Sequence, residues 1–226
     1  LTVTTPALGW GEGEAVATSS SSARLMCETN LAQGTVGGFE WMRENAPSGM
    51  KPSKAPCPVV GGALTGSLRN LKDDVYYKCR PYYIDVEGVE HVGKWFIVFT
   101  GDAGVYFEPE VRTYAPSVSK SDGIVTLSGF ALAGSDDITM QGFEYRPVSK
   151  TRANDEWQSV TAAGIMMNAT LTGLAGDTEY QCRAFVETAK GRFYGAEEKF
   201  TTPLEVPLIT HWLHNMTHDQ VLDMLK

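Results

Sequence analysis

A stretch of about 100 residues occurs twice in this chain, and the repeat limits its folds more than any other feature. Gly38-Phe39-Glu40-Trp41 returns 104 residues later as Gly142-Phe143-Glu144-Tyr145. Leu68-x-x-Leu71 followed by Tyr77-Lys78-Cys79-Arg80 returns 103 residues later as Leu171-x-x-Leu174 followed by Tyr180-Gln181-Cys182-Arg183. The closing Phe99-Thr100 is answered by Phe200-Thr201. A unit of this length is the size of one β-sandwich. Of the 226 residues, the repeat assigns 1–101 to a first sandwich and 102–203 to a second. Residues 204–226 are left over.

Each unit has the pattern of strands. Ala23, Leu25, Cys27 and Thr29 alternate with Arg24, Met26 and Glu28, the period of a half-buried strand. Phe39 and Trp41 flank Glu40 in the same way. Val75 to Ile84 and Trp95 to Thr100 are aromatic and β-branched runs. In the second unit, strands are predicted over 124–132, 138–148, 167–171, 179–187 and 192–201, separated by turns such as Gly134-Ser135-Asp136-Asp137 and Ala175-Gly176-Asp177. Helical periodicity is missing before residue 204. The expected fold is therefore all-β, two consecutive immunoglobulin-like sandwiches with a short helical tail.

Leu171-Thr172-Gly173-Leu174 leading through Asp177-Thr178-Glu179 to Tyr180 is the strongest local signal. A tyrosine entering the sixth strand of such a sandwich folds its hydroxyl back onto upstream backbone and buries its ring, a tyrosine corner. Tyr180 and Tyr77 are the two expected corners. Together with Tyr194-Gly195 and Phe200-Thr201-Thr202-Pro203, this block resembles fibronectin type III domains. The Gly-Phe-Glu-Trp/Tyr and Tyr-x-Cys-Arg strands resemble the variety repeated in surface proteins of Bacteroides-like gut anaerobes. The resemblance spans roughly residues 3–203. It implies an extracytoplasmic setting, at an outer-membrane surface or secreted, in a multidomain protein often held by a lipid anchor outside this segment. Val3-Thr4-Thr5-Pro6 is similar to the end of a preceding repeat.

Cys27, Cys57, Cys79 and Cys182 allow at most two bridges. Cys27 and Cys79 fall on the strands joined by the inter-sheet disulfide of antibody domains. The second unit has Cys182 in the same slot without a partner, so a small buried thiol also satisfies the position. A Cys27–Cys79 bridge, a Cys27–Cys57 bridge and free thiols all stay open. No close Cys-x-x-Cys pair exists to hold zinc. Glu40 with Arg80, and Glu144 with Arg183, should form cross-strand ion pairs on outward faces.

The net charge of −8 argues against a nucleic-acid partner. No apolar run is long enough to span a bilayer. Nucleophile elbows, phosphate loops and His-Glu-x-x-His are missing, and His91 is the only histidine before residue 204. Ser117-Val118-Ser119-Lys120 lacks the companion motifs of the Ser-x-x-Lys enzymes. Asp136-Asp137 reads as a solvated turn rather than a calcium site. The chain is expected to have no catalytic site, no metal and no cofactor. Its candidate partner surface is aromatic: Tyr76 and Tyr82 outward on one strand, with Trp10, Trp95 and Trp157. The leading reading is a spacer or adhesion element contacting a protein or glycan at the cell surface. A carbohydrate-binding accessory module, and a fragment of a surface enzyme, are the alternatives.

Two further segments carry expectations. Val105-Tyr106-Phe107 should pack between the units and limit their angle. In the tail, Thr217-His218-Asp219-Gln220 is a capping box before the apolar Val221, Leu222, Met224 and Leu225. His211, His214 and His218 share a face there, more consistent with a docking helix than with a metal site.

Overall fold

The structure, a computed structural model, describes residues 9–148 and 156–204. The first half contains β1 (Trp10–Ser19), β2 (Ser22–Thr29), β3 (Gly37–Arg43), β4 (Ser53–Pro56) and β5 (Val59–Val60), then β6 (Ala63–Leu68), β7 (Tyr76–Ile84), β8 (Glu90–Val92) and β9 (Phe96–Phe99). The second half contains β10 (Glu110–Val118), β11 (Val125–Leu132), β12 (Met140–Pro147) and β13 (Gln158–Thr161), then β14 (Met166–Leu171), β15 (Glu179–Thr188), β16 (Gly191–Tyr194) and β17 (Glu198–Thr201). A 3-10 turn, Thr100–Asp102, follows β9.

All pairings are antiparallel and build four sheets. The first half has β1-β2-β6-β5 and β4-β3-β7-β8, with β9 also on β7; the second has β10-β11-β14 and β13-β12-β15-β16, with β17 also on β15. Period-two patterning drives this. Ala23, Leu25 and Cys27 of β2 point into a core while Met26 and Glu28 point out. Leu25 and Leu64 from one sheet meet Phe39, Cys79 and Val98 from the other in a single apolar cluster. Val125, Leu127 and Met167 meet Phe143, Cys182 and Ala184 likewise in the second half. Each half is thus sandwich-like, two sheets closed over one core.

The repeat persists in hydrogen-bond register. Glu40 lies opposite Arg80 and Trp41 opposite Cys79; Glu144 lies opposite Arg183 and Tyr145 opposite Cys182. The final strand of each half is broken, which in the second half corrects the continuous strand expected over 192–201. β8 and β9 are separated by 93–95, and β16 and β17 by 195–197. Glycine sits at each break, with Gly93 N–H donating to Pro81 O at 2.8 Å and Gly195 N–H to Ala184 O at 3.0 Å. A Cβ at Gly93 would come within 2.6 Å of the Pro81 ring, and one at Gly195 within 2.6 Å of Thr113 Oγ1.

The expected match of Phe99-Thr100 with Phe200-Thr201 is corrected by one residue. Tyr77 pairs with Val98 and Tyr180 with Phe200, so Val98-Phe99-Thr100 corresponds to Phe200-Thr201-Thr202. The helix expected over 204–226, with its three histidines, lies outside the described residues beyond Leu204, as do Val3 to Pro6.

Candidate functional site

The corner preceding β7 and β15 is built the same way twice. Asn70 and Asp74 adopt left-handed backbone (φ 58° and 57°), as do Gly173 and Asp177 (φ 70° and 48°). The chain then turns tightly enough for the strand's tyrosine to reach back. Lys72 N–H donates to Tyr77 Oη at 2.8 Å, and Ala175 N–H donates to Tyr180 Oη at 3.1 Å. A threonine whose role the sequence did not show locks each corner. Thr100 Oγ1 donates to Lys72 O at 2.7 Å and accepts from Val75 N–H at 3.0 Å. Thr202 Oγ1 donates to Ala175 O at 2.6 Å and accepts from Thr178 N–H at 3.1 Å. Both threonines are buried.

Glu40 and Glu144 are paired as expected but are not on exposed surface: only 4% and 5% of each is accessible. Arg80 Nε and Nη2 both reach Glu40 Oε2 at 2.7 Å. Arg183 does the same to Glu144 Oε2, at 3.0 and 2.8 Å. The other carboxylate oxygen takes a second cation, Lys54 at 3.9 Å in the first half and Arg192 at 2.7 Å in the second. Hydrogen bonds to Glu187 and Glu144 push the Arg192 guanidinium above its usual range. Aromatic rings close the assembly. Arg80 lies 4.4 Å from the Trp95 ring, and Arg183 lies 4.2 Å from Trp157 and 3.8 Å from Tyr194. Spacing in the sequence foretells the Glu–Arg pairs, but the lids come from separate segments and carry no local signal.

The candidate partner surface is therefore revised. Tyr82 sits on the outer side of β7 but is covered, 3% exposed, with Lys54 Nζ 4.7 Å from its ring. Tyr76 is exposed and stacks on Phe99 with ring centroids 4.3 Å apart. Trp157, in the other half, is flanked by Arg146 and Arg183. The structure does not bring these three residues together on one sheet.

The four cysteines are buried free thiols, which corrects the candidate Cys27–Cys79 bridge. Both belong to the first core, where their packing serves as that of small apolar side chains. Burial raises the thiols of Cys57, Cys79 and Cys182 to about 12 and that of Cys27 to about 11. Among the described residues, no group of three or more His, Cys, Asp or Glu is placed to hold a metal ion. No helix among them is long and apolar enough to cross a membrane.

Where the halves meet, two arginines of the first cross to backbone carbonyls of the second. Arg24 donates to Ala133 O at 2.9 Å and Glu108 O at 2.5 Å, and Arg69 to Gly134 O and Asp136 O at 3.1 Å. Arg69 also pairs with Asp137 at 3.2 Å. Ser135 Oγ donates to Thr18 O at 2.5 Å and accepts from Phe107 N–H at 2.9 Å. Desolvation lowers both guanidiniums from their usual range. The apolar triplet expected to fill this joint does so only in part. Phe107 lies under Arg24, Tyr106 bonds Asp136, and Val105 is solvent-exposed.

Of the clefts along β1, two lie at its start. One, of about 690 Å³, lies between the halves, lined by Met26, Glu28, Glu110, Arg112 and Phe130 among others. The second, of about 750 Å³, lies between the start of β1 and the break in the last strand, and includes Trp10, Glu12, Gly93, Lys94 and Trp95.

Together these features define an all-β protein of paired antiparallel sheets in which the charge pairs and corners are repeated. No protein-family model matches the chain, and no curated protein is significantly similar to it.

Proposed function

We propose that this chain is a non-catalytic, extracytoplasmic pair of immunoglobulin-like sandwiches of the fibronectin type III kind, divided at 1–101 and 102–203. In this reading it serves as a semi-rigid spacer or protein-interaction element of a larger surface protein. One observation carries it: the guanidinium-to-carbonyl joint between the halves, in which Arg24 and Arg69 donate to five carbonyl oxygens. A spacer must transmit position, and a joint with directional, charge-assisted hydrogen bonds holds an angle that a Gly/Ser linker cannot. The paired tyrosine corners and the offset of the repeat support the assignment of the fold. The surface setting rests on the sequence resemblance.

The test is the tumbling of the intact chain. ¹⁵N relaxation should give one common rotational correlation time for residues 9–100 and 110–201. Replacing Arg24 and Arg69 together by alanine should separate the two times while leaving both sets of amide resonances dispersed. Two independent times in the unmodified chain would reject the spacer reading.

A further inference from the structure

We infer that the cleft between the start of β1 and the break in the last strand of the first half binds a neutral saccharide. Four observations converge there. First, two indoles, Trp10 and Trp95, line one space of about 750 Å³, within the size range of small-molecule sites. The Trp95 ring is held in place by Arg80 and Lys78, 4.4 and 5.4 Å from its centroid, yet remains 39% exposed. Trp10 is braced by Tyr83, with ring centroids 5.7 Å apart. The C–H face of a pyranose is weakly positive and apolar, and it stacks on the electron-rich face of a pre-positioned indole.

Second, the charged lining residues balance. Glu12 and Lys94 contribute one acceptor group and one donor group of opposite sign. A site with that balance gives hydroxyl groups both kinds of partner and favours neither anion nor cation. Third, backbone polar groups are available at the rim. β1 pairs with β2 and not with the last strand, while Lys94 and Trp95 lie in the break between β8 and β9, outside the ladder with β7. Fourth, glycine keeps the floor open. A Cβ at Gly93 would sit 2.6 Å from Pro81 and 3.2 Å from Trp10, in the space between the cleft's own walls.

An extended peptide adding as a strand is the less favoured occupant. β1 closes directly onto β9 at Gly13, where a Cβ would come 2.1 Å from the Phe96 ring, so a third strand has no path along the gap. This inference goes beyond the spacer reading, and relaxation of the intact chain tests that reading separately.

The experiment uses the indole N–H signals of the intact chain, titrated with cellohexaose, mannohexaose and xylohexaose to about 10 mM, enough to reveal a millimolar site. At least one neutral sugar should shift the Trp10 and Trp95 signals and spare Trp41 and Trp157. Trp95→Ala should weaken that binding roughly tenfold or more, and Trp157→Ala should leave it unchanged. Glu12→Ala/Lys94→Ala alters only solvent-facing groups, and should weaken binding without moving the thermal midpoint. The inference falls if no sugar shifts either indole or if Trp95→Ala binds as well as the parent. Equal binding of a polyuronate, or a response to an extended peptide alone, would overturn it too.

Discussion

Removing a partner of a buried carboxylate is more damaging than neutralising the carboxylate itself, because the charge that remains stays out of water with one counter-ion fewer. Arg183→Met should therefore destabilise the second half, by less than the roughly 3–5 kcal/mol of a wholly uncompensated charge because Arg192 stays on the other oxygen, while Glu144→Gln should cost less still. Denaturant unfolding of the two variants gives the ordering, and the reverse order would contradict a buried-charge role. The Glu–Arg pairing was legible at the sequence level because both residues recur at fixed spacing on adjacent strands. Its burial was not, since Lys54, Arg192, Trp95 and Trp157 arrive from distant segments. Tyr82 shows the same limit: alternation gave its side of the strand, but not the Lys54 side chain over it. The thiols yield a pH prediction. A thiol pushed from 9.0 to about 12 stays protonated in the folded chain while the unfolded chain ionises. Its contribution is whole below pH 9 and is lost as pH rises through 12. Near pH 8 a thiol-specific reagent should find no reactive cysteine in the folded chain and four after denaturation.

Strands with aromatic or β-branched runs, such as β7, β11 and β15, could be placed from the sequence within a residue or two. β1, β4, β5, β6, β8 and β13 could not. Their sequences, such as Trp10-Gly11-Glu12-Gly13 or Ser53-Lys54-Ala55-Pro56, are short, glycine-bearing or polar, and owe their extended form to the neighbours that pair with them. The corners behave as small composite elements in which a tyrosine and a threonine act from opposite sides. Tyr180→Phe should cost about 1 kcal/mol, since Ala175 N–H loses its acceptor. Thr202→Val should cost more, about 1–2 kcal/mol, because it removes two part-buried hydrogen bonds, one to the Ala175 carbonyl and one from the Thr178 N–H. Paired urea titrations would rank the two, and a silent Thr202→Val would remove the threonine from the corner.

At the scale of the whole molecule, the repeat announced two units but not how they meet. Arg24 and Arg69 look like ordinary surface charges in sequence, and their carbonyl acceptors have no sequence signature at all. One position in the joint does depend on residue type. A Cβ at Gly134 would lie 2.0 Å from Phe107 O, so Gly134→Ala should separate the tumbling of the halves much as loss of the arginines does. Ser135→Ala should act in the same direction and more weakly, since it removes hydroxyl bonds to Thr18 and Phe107 only. Apart from the Asp137 ion pair and the Phe107 ring under Arg24, the arginines address main chain rather than side chains. Main-chain oxygens survive almost any substitution, so the loop that receives these arginines can drift in sequence while the joint persists. Units of this type could then be shuffled, duplicated or swapped between longer proteins and still dock at the same angle, provided each newcomer keeps a glycine at the point of closest approach.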